Sequence, residues 1–221
     1  MRIALIHALA HSMPPIVAAF GRLWPEAQLV NLLDDSLSAD LARDGALSPA
    51  MTDRFLTLAR YSARNGADAI LFTCSAFGPC IEECVRELAP MPVLKPNEAM
   101  IEEAVALTGP SGRVGLVATF APMLASMPAE FTAIEPGVTV VPCLASGALP
   151  ALDRGDVEGH DRAAAQAAAI LKDCDVVVLG QFSLARAAQA VAGATGKTVL
   201  TTPASAVRKL QRLLIPSAKA A

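Results

Sequence analysis

The chain has few charged residues and no basic cluster. Only 18% of its 221 residues are charged, and 21 acidic residues against 18 basic ones leave a formal net charge of −3. Proteins that bind nucleic acids use clustered lysine and arginine to neutralise phosphates, and the sequence holds no such cluster. We therefore expect no nucleic-acid partner.

The sequence also lacks a hydrophobic run long enough to cross a membrane. Its apolar stretches are strand-length, and Gly, Pro or polar residues interrupt them well short of the roughly 20 residues that a transmembrane helix needs. The start at Met1-Arg2 with an apolar stretch behind it faintly resembles a signal peptide, but this stretch is short and His7 interrupts it. We expect a soluble protein without a membrane partner.

The cysteines show no regular spacing. There are five of them, an odd number, which is typical of thiols in a reducing cytoplasm rather than of a disulfide framework. We therefore predict a cytoplasmic protein. Cys74, Cys80 and Cys84 could form a metal set with His7, but no paired CxxC or HxxxH spacing supports one, and we predict no metal site.

What the chain does contain is an internal repeat. Three segments of the first half recur in the same order in the second half. The pairs are RIALIHALA from Arg2 with RVGLVATFA from Arg113, ADAILFTCSAF from Ala67 with CDVVVLGQFSL from Cys174, and PVLKPNEAMIEEAVAL from Pro92 with TVLTTPASAVRKLQRL from Thr198. The offset between the copies falls only from 111 residues in the first pair to 106 in the third. Two halves with the same order of elements are therefore predicted.

Each half alternates strands and helices. Continuous apolar runs at 3–6, 69–72, 114–117 and 176–179 predict buried parallel strands. Cap and proline signals predict helices that start at Ser48-Pro49, Gly78-Pro79, Asn97-Glu98 and after Thr202-Pro203, with the first of them ending at Asn65-Gly66. We predict an α/β fold of two pseudo-symmetric parallel-sheet domains, 1–97 plus 206–221 and 98–205. Ligands of such sheets bind at the carboxyl ends of the strands, so we expect the active site in the cleft between the domains.

Three motifs resemble one known family. Cys74 stands in FTCSAFGP after an apolar strand, Pro96-Asn97-Glu98-Ala99 follows it, and VGLVATFAPML opens the second half. These motifs resemble the aspartate/glutamate/hydantoin racemase superfamily, and the resemblance spans nearly the whole chain. It implies a racemase-like fold and a cofactor-independent reaction at the carbon α to the carboxylate of a small substrate. It also implies a homodimer or a higher homo-oligomer.

The resemblance assigns a catalytic role to Cys74. In that family two thiols flank the α-carbon, and one removes a proton while the other delivers one. Cys74 matches the first thiol, but its equivalent in the second half is Gln181, and glutamine cannot act as an acid or base. His7, at the end of the first strand, could replace the missing group because histidine titrates near neutral pH, or it could be a core histidine. The strand end before a helix predicts a field that favours the Cys74 thiolate.

Several polar residues near the same strand ends are candidate substrate ligands. Thr73 and Ser75 flank Cys74, Ser183 follows Gln181, and Thr119 resembles a residue of the family's carboxylate-binding loop. Gln181 and Ser183 could hold a carboxylate oxygen or orient a substrate amide. Asn97 and Glu98 could cap a helix or contact the substrate. We assign Cys80, Cys84, Cys143 and Cys174 to packing, and His11 and His160 to loops or helix starts.

Several functions remain open. The leading hypothesis is a racemase-like isomerase with Cys74 as acid/base. Alternatives are a single-cysteine decarboxylase or other lyase of the superfamily, a maleate-isomerase-like enzyme with Cys74 as nucleophile, and a non-catalytic protein that binds small acids. A nucleotide-binding protein is disfavoured, because no GxGxxG or Walker loop follows any strand.

Overall fold

The structure is a computed structural model that describes residues 1–215. The chain divides into two compact units, and within the described residues the first unit comprises 1–99 and 206–215 and the second comprises 100–205. Residues 216–221, which belong to the predicted first domain, lie outside the described residues.

The first unit is built on a four-stranded parallel sheet. Its strands are β1 Arg2–His7, β2 Gln28–Leu33, β3 Ala69–Phe72 and β4 Val93–Leu94, in the order β2-β1-β3-β4. Its helices are α1 Met13–Leu23, α2 Ser36–Asp44, α3 Pro49–Arg64 and α4 Gly78–Leu88, and α5 Glu98–Thr108 begins in it. Short 3-10 helices lie at Ala10–Ser12 and Ser75–Phe77.

The second unit repeats this arrangement. Its strands are β5 Arg113–Ala118, β6 Thr139–Leu144, β7 Val176–Leu179 and β8 Thr198–Thr201, all parallel and in the order β6-β5-β7-β8. Its helices are α6 Ala121–Ile134, α7 Ala148–Asp153, α8 Val157–Ala168, α9 Ala188–Thr195 and the start of α10 Thr202–Leu214. Short 3-10 helices lie at Ala169–Leu171 and Phe182–Ala187. The two sheets share one strand order, so the predicted α/β fold of two parallel-sheet halves is confirmed.

The inner strands form because their residues are apolar on both faces. Every residue of β3 and β7 is buried, and in β1 and β5 only the first residue is exposed. All four inner strands were predicted from these continuous runs. The edge strands β2 and β6 were not predicted, because they are partly exposed along much of their length and include polar residues such as Asn31.

The helix boundaries follow the cap signals. The Ser48 hydroxyl accepts a hydrogen bond from the Met51 N–H at 3.3 Å, Pro49 is the first helical residue of α3, and Asn65 follows its end. The predicted starts at Gly78 and Glu98 are likewise confirmed by α4 and α5. No helix within residues 1–215 is long and apolar enough to span a bilayer.

An aromatic cluster holds the chain that follows β3. The rings of Phe55 on α3 and Phe72 on β3 are 5.3 Å apart, and those of Phe55 and Phe77 are 4.9 Å apart. Phe77 is fully buried three residues after Cys74. Offset aromatic pairs add about 0.5–1.5 kcal/mol each beyond area burial, so this cluster anchors the turn that carries the thiol.

Candidate active site

Cys74 lies at the carboxyl end of an inner strand of the first unit. It follows β3 by two residues, has an extended backbone (φ −128°, ψ 119°), and precedes the 3-10 helix at Ser75–Phe77. All five cysteines lie within the described residues and are free thiols, and Cys74 alone among them is partly exposed. The other four are buried, as predicted for packing residues, and burial raises the pKa of Cys84 to about 12.

The surroundings of Cys74 favour its neutral form. Burial raises the pKa of the Cys74 thiol, and a hydrogen bond from the Ala76 N–H lowers it by less. The thiol borders a narrow gap with no room for a water molecule, which is lined by Ile6, His7, Ala8, Leu37, Phe55, Phe72 and Cys74. The prediction that the local field favours the thiolate is wrong, because burial among apolar side chains raises the pKa of Cys74 more than the Ala76 N–H lowers it.

His7 joins three strands through its ring. Its Nδ1 lies 2.8 Å from the Thr73 hydroxyl on the residue after β3, and its Nε2 lies 3.0 Å from Asn31 Oδ1 on β2. Because the Asn31 oxygen can only accept, Nε2 carries the proton and the Thr73 hydroxyl donates to Nδ1. Asn31 is a residue that sequence reasoning missed, and its one signal is a polar side chain inside the apolar run 29–33.

This environment keeps His7 uncharged. The His7 side chain is fully buried, and this burial lowers its pKa below the usual 6.5, although the bond to Asn31 raises it in part. Both ring nitrogens are engaged by protein groups. His7 therefore orients Thr73, the residue next to the thiol, and its role as a second acid or base stays a prediction.

The equivalent strand end of the second unit carries a different polar pair. Gln181 follows β7 by two residues and has the same extended backbone as Cys74 (φ −133°, ψ 145°). Its Oε1 accepts the Thr119 backbone N–H at 2.6 Å and the Thr119 hydroxyl at 3.0 Å. The structure thus brings together two predicted site residues that are 62 positions apart in sequence.

The polar triad of the first unit has no counterpart in the second. The positions that correspond to His7, Thr73 and Asn31 are Ala118, Gly180 and Pro142. A Cβ on Gly180 would lie 3.0 Å from the Met127 sulfur and 3.1 Å from Leu116 Cδ1. In the second unit, apolar side chains therefore fill the position that corresponds to the polar network next to Cys74 in the first unit.

The remaining candidates have different surroundings. Ser75 and Ser183 are partly buried, and their hydroxyls make no hydrogen bond to any described residue, so both are available to a ligand. Asn97 is 2% exposed directly before α5. Glu98 forms an ion pair with Lys209 of α10, so its carboxylate is already neutralised within the first unit.

The metal set considered above does not assemble. No group of three or more His, Cys, Asp or Glu side chains in the described part of the chain is arranged to hold a metal ion. The His7 ring is taken up by Asn31 and Thr73, and Cys80 and Cys84 are fully buried on α4. Both pack in the apolar core of the first unit, where the Cys80 sulfur lies 3.4 Å from the Thr52 hydroxyl.

Comparisons with known proteins identify relatives of this fold. An aspartate racemase homologue from Pyrococcus horikoshii OT3 is 18% identical with a TM-score of 0.72, over 96% of this chain and 98% of that one. Allantoin racemase from Klebsiella pneumoniae is 20% identical with a TM-score of 0.72, over 96% and 87%. A mutant of arylmalonate decarboxylase is 21% identical with a TM-score of 0.67, over 96% and 93%. A search of curated proteins finds no match.

The family is established by sequence. The model of the family described as Asp/Glu/Hydantoin racemase matches residues 10–210, which is most of the chain and includes both strand ends with their polar side chains. The solved structures share the two-sheet α/β fold of this chain, but their sequence identities are too low to assign their substrates to it. The chain belongs to the Asp/Glu/hydantoin racemase family.

Proposed function

We propose that this protein is a cofactor-independent enzyme that exchanges a proton at the carbon α to a carboxylate, with Cys74 as its acid/base group. The observation that carries the proposal is the position of Cys74, a partly exposed thiol at the end of β3, while the other four thiols are buried. Its family membership supplies the class of reaction. The racemase-like reaction is an isomerisation of a small carboxylate-bearing substrate.

In the isomerisation, the Cys74 thiolate takes the proton from Cα. The electron pair of the broken C–H bond moves into the carboxylate, which becomes an enediolate. Return of a proton by the new thiol to the same face gives only exchange. Delivery of a proton from water to the opposite face, with release of the thiol proton to solvent, completes the isomerisation. A carbon acid beside a carboxylate is much weaker than a thiol, so donors must stabilise the enediolate. Ser75 and Ser183 carry hydroxyls at the strand ends that suit this task, whereas the Thr119 hydroxyl already donates to Gln181.

A second candidate is decarboxylation of a substituted malonate. It is favoured by the raised pKa of Cys74, which leaves the resting enzyme with a protonated thiol, and by Gln181 in place of a second acid/base. Loss of carbon dioxide leaves the electron pair of the broken C–C bond on the enediolate of the remaining acid. Cys74 then donates its proton to Cα and recovers one from solvent. Since one thiol serves one face of the carbon, a single enantiomer is expected.

The direct experiment is solvent deuterium incorporation at Cα. Aspartate, glutamate, hydantoins and substituted malonates are incubated in D₂O, and NMR and chiral chromatography follow exchange, racemisation and decarboxylation. We expect turnover of one class, and a loss of about 10²-fold or more in Cys74→Ala, since a positioned acid/base contributes 10²–10⁴-fold. Cys174→Ala, which removes a buried thiol of the second unit, is the matched control and should keep the activity.

The outcome also separates the alternatives. Enantiomer interconversion identifies the isomerase, and release of carbon dioxide identifies the lyase. Full activity in Cys74→Ala contradicts the role of this thiol. Tight binding of one acid without exchange or turnover indicates a binding protein that lacks the chemistry.

We place this activity in the cytoplasm. All five cysteines are free thiols, and a reducing compartment keeps thiols in that state. A catalytic thiol such as the one proposed for Cys74 also needs protection from oxidation.

A further inference from the structure

We propose that Gln181 is a catalytic hydrogen-bond donor, whose side-chain NH₂ binds the substrate carboxylate oxygen that gains charge when the electron pair moves off Cα. This inference rests on the proposed function and assigns a task to the residue that replaces a thiol. Gln181 would exchange no proton in the reaction, because a carboxamide keeps both of its hydrogens at neutral pH.

The orientation of the carboxamide is fixed by the protein. The Thr119 backbone N–H can only donate, and it lies 2.6 Å from the Gln181 side chain, so the atom that it meets must be the amide oxygen. The Thr119 hydroxyl approaches the same oxygen at 3.0 Å. Two donors on Oε1 leave the Nε2 group on the opposite side of the carboxamide, directed away from Thr119.

The Nε2 group has both hydrogens to offer. Within residues 1–215 it makes no hydrogen bond, although the Gln181 side chain is partly buried. Nε2 is not among the described buried side-chain atoms that lack a partner, so water reaches it in the free protein. A carboxylate oxygen can replace that water as the acceptor.

The strands of the second sheet are followed directly by segments without a cationic side chain, and Arg186, further along the 3-10 helix after β7, pairs with Asp161. The segments that directly follow the four strands, at 119–120, 145–147, 180–183 and 202–203, contain neither lysine nor arginine. Neutral donors are therefore the groups available here to an anionic ligand. Gln181, held by two hydrogen bonds, is the donor among them whose direction the protein has fixed.

A fixed donor acts on the transition state as well as on binding. As the C–H or C–C bond breaks, its electron pair enters the carboxylate and raises the negative charge on both oxygens. A hydrogen bond that is already oriented strengthens with that charge and needs no reorganisation, and removal of one such donor typically lowers kcat by about 10²–10³-fold. The amide of Gln181 thus stabilises charge and moves no proton.

Two substitutions separate the donor from the rest of the side chain. Gln181→Glu keeps an oxygen for the Thr119 donors but replaces the NH₂ by an anionic oxygen that repels a carboxylate. Gln181→Met keeps similar volume and removes the polar end. Gln166→Glu, at an exposed position of α8, introduces the same charge elsewhere and is the matched control.

The probes are malonate and phenylacetate, titrated onto the protein and followed by calorimetry and by two-dimensional NMR of its amide groups. The Gln181 NH₂ signals are assigned by their absence in Gln181→Glu. We expect these signals to shift downfield on binding, and the Kd to rise about tenfold or more in Gln181→Glu and to stay unchanged in Gln166→Glu. About tenfold corresponds to 1.4 kcal/mol.

Each result is decisive. Binding of a probe without a shift of these signals, and with equal affinity in Gln181→Glu, overturns the inference while the role of Cys74 stands. Shifted signals without deuterium exchange in the Cys74 experiment support the amide donor and contradict the proposed enzyme. Failure of both probes to bind overturns the inference.

Discussion

The Thr73 hydroxyl lies 2.8 Å from Nδ1 of His7, and Thr73 is the residue directly before Cys74. Together with the 3.0 Å contact between His7 and Asn31, this bond forms a polar chain across β2, β1 and the end of β3. Apolar residues surround the chain on the first sheet. The buried bond between His7 and Thr73 therefore fixes the backbone that carries the thiol, and Asn31 forms the exposed outer end of the chain.

Thr73→Val tests that chain. Valine has nearly the same shape but lacks the hydroxyl, so it leaves Nδ1 of the buried His7 without a donor. We expect the free energy of unfolding to fall by about 1–3 kcal/mol, the cost of an unsatisfied buried polar group. Chemical denaturation followed by circular dichroism measures the change.

Thr57→Val is the matched control. The Thr57 hydroxyl also makes a hydrogen bond, 2.7 Å from the Asp53 carbonyl oxygen, but it lies on the exposed face of α3. Its loss should change stability by no more than about 0.5 kcal/mol. Equal effects of the two substitutions would show that Thr73 has no special partner.

The stability of the protein should fall in mild acid because of His7. Burial lowers the pKa of His7 in the folded state, while the unfolded chain has the usual value of 6.5. Between these two values the unfolded state binds more protons, so the stabilisation is complete above pH 6.5 and is lost as pH falls toward the folded-state pKa. Urea unfolding at a series of pH values from neutral to mildly acidic measures this slope.

His7→Gln removes that titrating group. Its free energy of unfolding should be lower at neutral pH but should depend less on pH in the same window. Carboxylates that lose stability in acid, such as Asp34 and Asp161, contribute equally to both proteins and cancel in the comparison. His11→Gln, at an exposed position, should retain the full slope. Identical slopes for His7→Gln and the parent would contradict the buried, neutral His7.

Much of the fold could be predicted from the sequence, but the polar chain could not. The inner strands are continuous apolar runs, and the internal repeat alone predicts that Cys74 and Gln181 are equivalent positions. Asn31 lies on an edge strand whose partly exposed residues give no such pattern. Its contact with His7 depends on the register of β1 and β2, in which Asn31 pairs with Leu5, and register follows from packing rather than from local pattern.

The state of the thiol shows a second limit of sequence reasoning. The strand-to-helix position of Cys74 predicted a thiolate, because free N–H groups at such turns attract anions. In the structure the Ala76 N–H is such a group and lowers the pKa of the thiol. Burial beside apolar side chains, which include Phe72 and Phe55, raises that pKa by more. Which effect dominates depends on how many side chains close over the sulfur, and that is a property of tertiary packing.

Alkylation of Cys74 should therefore be slow at neutral pH. The ordinary thiol pKa of 9.0 leaves about 1% thiolate at pH 7, and the raised pKa of Cys74 leaves less. We expect the rate of iodoacetamide labelling at Cys74, measured by peptide mass spectrometry, to rise about tenfold per pH unit from pH 7 to 9. Labelling that is fast and independent of pH from 6 upward would show a stabilised thiolate and would favour proton abstraction over donation.

Gln181→Cys tests whether the second unit lacks only a thiol. Gln181 and Cys74 have the same extended backbone and each precedes a 3-10 helix, so a cysteine at 181 would have the Ser183 N–H two residues on, as Cys74 has that of Ala76. We expect the parent to exchange or protonate one face of Cα without interconverting enantiomers. The variant should interconvert them, because each face then has an acid/base group, although loss of the amide donor lowers its rate. Chiral chromatography of either enantiomer, in parallel with Gln181→Ser, measures this.

Gln181→Ser introduces a hydroxyl too weakly acidic for the role, so it should not racemise the substrate. Equal racemisation by the parent and by Gln181→Ser would contradict the assignment of position 181 and would point to another group, with His7 the first to be tested.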